Sequence, residues 1–361
     1  MKHWQETARV LDRVILLGQQ GRASALAVVT QIRGSSYRRP GAKLLIEEDG
    51  GIVGGVSGGC LEEDVRQQGL AVLVGGRARV LHYDTSDDET RVWGLGLGCD
   101  GEVDLVVLPI SPAAALGPWA QVRRLLDGDL AIVLATFAEA GAGGGVLVTD
   151  GSARLVDGLG EETAADDVET AALIALRRGR SRLQTVGKRQ VFADVLLPPP
   201  KLLVCGAGED ARPLVALAAS VGFRVIVADH RAAHLTAELL PEAQRLILRR
   251  AEEAGEIPTD ADTYAIVKTH SLKEDIAWVR RLIRTEVPYV GILGPRARTR
   301  RILEEVAAEG DDRVFGPVGL DLGADGAEQV SVSAVAELLA ARARREPVHL
   351  RDRLAAMHAG D

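Results

Sequence analysis

The chain has 361 residues, 47% of them hydrophobic and 26% charged, which describes a globular protein large enough for two domains. Its formal net charge of −8 excludes the electrostatic footprint of a nucleic-acid binder, and no apolar run reaches the roughly 20 residues of a membrane-spanning helix. The first residues lack the apolar stretch of a signal peptide, and three cysteines without a Cys-x-x-Cys unit fit a reducing cytoplasm.

In chain order, apolar periodicity predicts an amphipathic helix over residues 3–20, with Trp4, Val10, Leu11, Val14, Ile15 and Leu17 on its inner side. Strands follow over 25–32, 43–47 and 52–53, then a helix over 61–74 and strands over 78–83 and 103–109. A second strand-rich part covers 130–137, 146–149 and 191–197, interrupted by a helix over 161–178. Pro198-Pro199-Pro200 makes a stiff extended connector. Beyond it, strands over 202–205, 224–229, 245–248, 263–267 and 289–293 alternate with helices over 210–221, 272–284 and 298–309. Strand–helix alternation predicts a doubly wound parallel sheet. A helix over 327–345 and a charged tail over 346–361 close the chain. The expected architecture is α/β: an α+β N-terminal domain over 1–197, then a Rossmann-like domain over 201–345.

Two glycine-rich segments each carry one thiol: Ser57-Gly58-Gly59-Cys60-Leu61-Glu62 and Gly96-Leu97-Gly98-Cys99. Glycine lets the backbone bend freely or come close to a ligand, so Cys60 and Cys99 read as thiols that meet a bound group, against the alternative of buried inert cysteine. Cys60 stands at a helix start, a position at which thiols become reactive. Glu62 suits either a ligand or the first helical turn. The loop Gly34-Ser35-Ser36-Tyr37-Arg38-Arg39-Pro40-Gly41-Ala42-Lys43 collects hydroxyls and cations; it reads either as an anion site, with Arg38 and Lys43 as anchors, or as an exposed basic hairpin.

In the second half, Gly206-Ala207-Gly208-Glu209-Asp210-Ala211 fits the turn that brings a pyrophosphate to a helix N-terminus, and Asp229 ends the next strand, where an acid can meet a ribose. The same turn also occurs in Rossmann domains that hold no nicotinamide. His270 and Gly294 follow the fourth and fifth strands of this part and face the same crevice, His270 as a proton carrier or as a packing residue. Phosphate-loop, zinc-helix and nucleophile-elbow motifs are all missing.

Taken together, these segments, with Thr269-His270, Gly291-Ile292-Leu293-Gly294 and Pro317-Val318-Gly319-Leu320-Asp321-Leu322-Gly323, resemble the XdhC/CoxI family of accessory proteins of molybdenum hydroxylases. Asp100 departs from that family's pattern, which has glycine after the second cysteine. The resemblance implies a maturation factor rather than a catalyst. Such a factor would bind the molybdenum cofactor, in its molybdopterin or a dinucleotide form, protect it, and pass it to a xanthine dehydrogenase- or CO dehydrogenase-type apoenzyme. A cysteine desulfurase partner and a homodimer are further expectations. Soft thiols suit a molybdenum–dithiolene centre, so Cys60 and Cys99 are the expected molybdenum-proximal residues. Arg38, Lys43, Gly58, Gly59, Glu62, Gly98, Gly206, Gly208, Asp229, His270 and Gly294 complete the expected cofactor contacts. Two rivals stand beside this reading: an NAD(P)-dependent oxidoreductase, and a nucleotide transferase acting on molybdopterin.

Overall fold

The computed structural model describes residues 2–34, 38–84, 101–142, 146–152, 154–157, 162–253, 255, 257 and 259–352. The chain divides into two compact units, which separate between Pro198 and Pro199.

The first unit opens with α1 (Lys2–Gln19), which buries Trp4, Val10, Leu11, Val14 and Leu17 at helical spacing. The strands β1 (Ser24–Gly34), β2 (Lys43–Glu47), β3 (Ile52–Gly54), β4 (Arg79–Asp84) and β5 (Gly101–Ile110) form an antiparallel sheet in the order β3-β2-β1-β5-β4. Ala25, Ala27 and Val29 of β1 pack in one hydrophobic cluster, while Leu26 and Val28 join another. Both faces of this sheet are therefore buried, and the period-2 alternation sorts one apolar layer from a second rather than inside from outside.

The helix α2 (Glu62–Gly75) lies on the first layer through Val65, Gly69 and Val72. A short helical stretch follows: α3 (Pro112–Ala114), a π turn (Ala115–Trp119) and α4 (Ala120–Leu125). A second antiparallel sheet has the order β8-β7-β6-β10-β9, from β6 (Ile132–Phe137), β7 (Val146–Thr149), β8 (Arg154–Asp157), β9 (Arg182–Val186) and β10 (Arg189–Leu196). One helix, α5 (Glu162–Arg178), covers it with Val168, Ala172 and Ala175.

The second unit is a parallel six-stranded sheet in the order β13-β12-β11-β14-β15-β16. Its elements are β11 (Lys201–Cys205), α6 (Ala211–Ser220), β12 (Arg224–Asp229), β13 (Arg245–Leu248), β14 (Thr263–Val267), α7 (Leu272–Leu282), β15 (Val290–Ile292), α8 (Arg296–Val306), β16 (Val314–Phe315) and α9 (Gly326–Arg342). Leu202 and Val204 of β11 face the layer of α6 and α9, and Leu203 and Cys205 the layer of α7 and α8. The strand order reverses between β11 and β14. In a doubly wound sheet the carboxyl ends at that reversal open a crevice, which places the ligand end of this unit. The expected fold class, an α+β unit followed by a Rossmann-like sheet, is the one observed.

Candidate functional site

In the first unit the chemistry-bearing loop joins β3 to α2. Ser57 and Glu62 close it from within. Oε1 of Glu62 accepts the backbone N–H groups of Val56 (3.1 Å) and Ser57 (2.9 Å), and its Oε2 accepts the Ser57 hydroxyl. The Ser57 oxygen in turn accepts the N–H groups of Gly59 and Leu61, each at 3.1 Å. Burial pushes the Glu62 carboxyl up, and these donors outweigh it, so the group is held below the usual glutamate range. Gly59 has φ +116°, a conformation that side chains rarely adopt. The loop thereby sets Cys60 half-buried just before Leu61, the cap of α2, and Cys60 is a free thiol. Glu62 is thus occupied in building the loop, with its carboxylate turned to backbone donors.

The two expected anion anchors have partners within the fold. Arg38 grips Glu6 of α1 through both terminal nitrogens, at 3.2 and 2.7 Å. Lys43 is 2% exposed; its Nζ donates to Asp194 Oδ2 at 2.5 Å and to the Gly41 carbonyl at 2.9 Å. Asp194, on β10 of the other sheet, also meets Ser181 (2.9 Å) and His3 (3.3 Å). Burial pushes the Asp194 carboxyl up, but the ammonium of Lys43 and the imidazole of His3 hold it well below the ordinary range. Lys43 therefore neutralises a carboxylate in the interior of the unit. Gly98, Cys99 and Asp100 lie outside the described residues, as do Ser35, Ser36 and Tyr37.

In the second unit the expected residues converge on the crevice. Gly206 has φ +118°, and a methyl group there would stand 2.7 Å from the Lys268 carbonyl oxygen and 3.0 Å from the Thr269 nitrogen. At Gly208 the nearest atoms are Asp210 Oδ1 (2.6 Å) and His270 Nε2 (2.8 Å). Both oxygens of Asp229 are engaged: Oδ2 accepts the Ala207 N–H (2.7 Å) and a guanidinium N–H of Arg231 (2.8 Å), while Oδ1 accepts the Arg231 backbone N–H (2.8 Å) and its Nε (3.0 Å). Desolvation raises this carboxyl, yet Arg231 and the Ala207 N–H hold it far below its ordinary range. His270 is 68% exposed and lies 3.9 Å from Asp210 Oδ1. Thr269 and Arg298 lock the neighbouring loop through Asp275, which is fully buried. Asp275 Oδ1 accepts the Thr269 N–H (3.0 Å), and its Oδ2 accepts Arg298 Nε (2.9 Å) and a terminal nitrogen (2.6 Å).

Between β14, β15 and the start of α9 lies a cavity of about 450 Å³ whose walls include Leu214, Leu293, Gly294, Val318 and Val330, with Asp210 and Lys268 as its charged groups. Lys268 is not among the residues expected from sequence. The signal was present: a lysine directly after the apolar run Ala265-Ile266-Val267 stands at a strand's carboxyl end, where such sheets bind ligands. A smaller cavity of about 280 Å³, lined by Ala207, Gly208, Arg212 and His234, lies beside the same glycine turn. Among the described residues no group of three or more His, Cys, Asp or Glu side chains could hold a metal ion. None of their helices is long and apolar enough to cross a membrane.

Comparison with known proteins agrees with this architecture. Residues 17–84 match the model of the XdhC and CoxI family, and residues 202–338 that of the XdhC Rossmann domain. The chain is 33% identical to a Bacillus subtilis protein described as a probable subunit of xanthine dehydrogenase, over 89% of this chain and 94% of that protein. It is 24% identical to the Escherichia coli molybdenum cofactor insertion chaperone PaoD, over 90% of this chain and 86% of PaoD. A crystal structure from Bacillus halodurans, described as a xanthine dehydrogenase, superposes with a TM-score of 0.76 at 26% identity, covering 93% of this chain and 96% of that one. With likeness at this level running through both units, the chain belongs to the XdhC and CoxI family.

Proposed function

We propose that this protein binds the molybdenum cofactor, shields it, and hands it to an apoenzyme of the xanthine dehydrogenase or CO dehydrogenase type. The observation that carries the reading is the Cys60 loop. It presents a half-buried free thiol on backbone fixed by Ser57 and Glu62, with glycines on the approach. Sulfur is a suitable partner for a soft metal–dithiolene centre. Family membership, and a likeness to PaoD along most of the chain, support a maturation role over a catalytic one. The client apoenzyme is the partner this reading requires, and a sulfur-donating desulfurase would act before hand-over.

The oxidoreductase alternative finds less support. A dinucleotide would need the Asp229 carboxylate for its ribose, and Arg231 and Ala207 already hold both oxygens. A pyrophosphate at the start of α6 would also meet Glu209 and Asp210, two carboxylates where anions are usually welcomed.

The test is activation of the client apoenzyme by the full chain loaded with cofactor. Cys60→Ser, alone and with Cys99→Ser, is expected to lower both retained cofactor and client activation at least several-fold while the chain stays folded. Activation equal to that of the parent by the double variant removes the thiols from the mechanism.

A further inference from the structure

The 450 Å³ cavity of the second unit carries an unusual pair of charges. Lys268 is 2% exposed at the carboxyl end of β14, with Nζ 2.7 Å from Oδ1 of Asp210. The two atoms touch without the alignment of a hydrogen bond, and neither has another hydrogen-bond partner. An ammonium has three donors to satisfy, and leaving them unmade in the interior is costly. Burial draws the Lys268 pKa down, and Asp210 only partly restores it. Asp210, a third exposed, directly precedes α6, makes no capping hydrogen bond to it, and opens onto the same space.

The rest of the wall is apolar: Leu214, Leu293, Val318 and Val330. Ser331, which also lines the cavity, has its hydroxyl committed to the Ala327 carbonyl at 2.6 Å. The polar recognition therefore sits at one corner, as an acceptor beside a donor. A free phosphate is disfavoured there by the Asp210 carboxylate, and a hydrocarbon by both charges. What fits is a flat ring whose edge has two adjacent N–H groups for the carboxylate and a carbonyl oxygen next to them for the ammonium, because a carboxylate accepts two parallel hydrogen bonds and an ammonium only donates.

We propose that this cavity binds the 2-amino-4-oxopyrimidine edge shared by pterins and guanine, with Asp210 accepting from the ring N–H and the exocyclic amine and Lys268 donating to the ring carbonyl. The assignment of a pterin rests on the cofactor-binding reading above. It identifies the end of the cofactor that this unit would recognise, through two residues that are not among the cofactor contacts expected from the sequence.

Calorimetric titration of the full chain separates the possibilities. The probes are 6-hydroxymethylpterin, the matching lumazine (which has a carbonyl in place of the 2-amino group), and GMP. The pterin is expected to bind at least ~10-fold more tightly than the lumazine, whose carbonyl would face the Asp210 carboxylate. Asp210→Asn is expected to erase that preference, and Lys268→Met to weaken pterin binding by ~10-fold or more. Circular dichroism checks that both variants keep the fold, and should Lys268→Met unfold, Asp210→Asn alone decides. Preference for the pterin over GMP ties the cavity to the cofactor. Preference for GMP keeps the ring-edge assignment and detaches it from the cofactor. Equal binding of pterin and lumazine, binding unchanged in the folded variants, or no binding of pterin or GMP overturns the proposal. Loss of the preference in Asp210→Asn with unimpaired client activation sinks the link to function and spares the site. The converse result spares the chaperone reading alone.

Discussion

Lys43 shows how a single residue can carry two readings. In the sequence it closes a loop with Arg38 and Arg39, and nothing local distinguishes an anion anchor from a structural cation. Its partner Asp194 lies 151 positions away, on a strand of the other sheet in the same unit, so the pairing becomes visible only once the fold is known. Gly41 belongs to the same arrangement: it has φ +93°, and a side chain there would run into His3 and Asp194. Removing one partner of a buried ion pair leaves an uncompensated charge. Lys43→Met is therefore expected to destabilise the protein by about 3–5 kcal/mol. The double variant Lys43→Met/Asp194→Leu should recover most of that loss, and urea unfolding of the three proteins checks both. A single variant as stable as the parent would return Lys43 to the list of free cations. The place of Cys60 just before a helix, by contrast, was legible from the sequence, because the glycines and the helix start that frame it are its immediate neighbours.

At the scale of elements, the glycine turn after β11 is recognisable in sequence, yet the reason for its first glycine is not. Gly206 is needed because the backbone of Lys268 and Thr269, at the end of β14, comes too close for any Cβ. That requirement is internal to the sheet and holds whether or not a nucleotide binds. Gly208 differs, since its nearest neighbours are side-chain ends that can turn aside. Gly206→Ala is expected to cost at least ~2 kcal/mol through positive φ and a backbone clash. Gly208→Ala should change stability by less than ~1 kcal/mol. Denaturant midpoints of the two variants check this, and equal effects would contradict it. The parallel sheet was readable because each apolar run is short and followed by a helical stretch. The strands β8 and β9 escaped because polar and charged residues make up half or more of each, and β9 is only partly buried, so no sharp alternation marks it.

For the molecule as a whole, each unit holds a buried carboxylate whose proton affinity is strongly reduced by folding, Asp194 in the first and Asp229 in the second. Such a group binds a proton more readily in the unfolded chain. Its stabilisation is thus complete above the ordinary aspartate value near ~3.9 and is lost as the pH falls below it. Stability should be nearly flat from about pH 7 to 5.5 and fall steeply below about pH 4. Asp229→Asn should flatten part of that acid slope, as measured by urea midpoints across the range; an unchanged slope would deny Asp229 its charged, hydrogen-bonded state. The order of the motifs along the chain carried the family identity, since those motifs are local strings, whereas the six-stranded order and the Asp210–Lys268 cavity depend on contacts across the sheet. The central claim is that this chain carries a molybdenum-bearing pterin, and the direct measurement is chemical. The protein is purified from a molybdopterin-producing cell, its small molecules are released and oxidised, and the fluorescent pterin and molybdenum are quantified per chain. The account predicts near-equal amounts of pterin and protein, with molybdenum alongside and a marked fall in Cys60→Ser. Pterin and molybdenum both at background in the folded parent protein would contradict it.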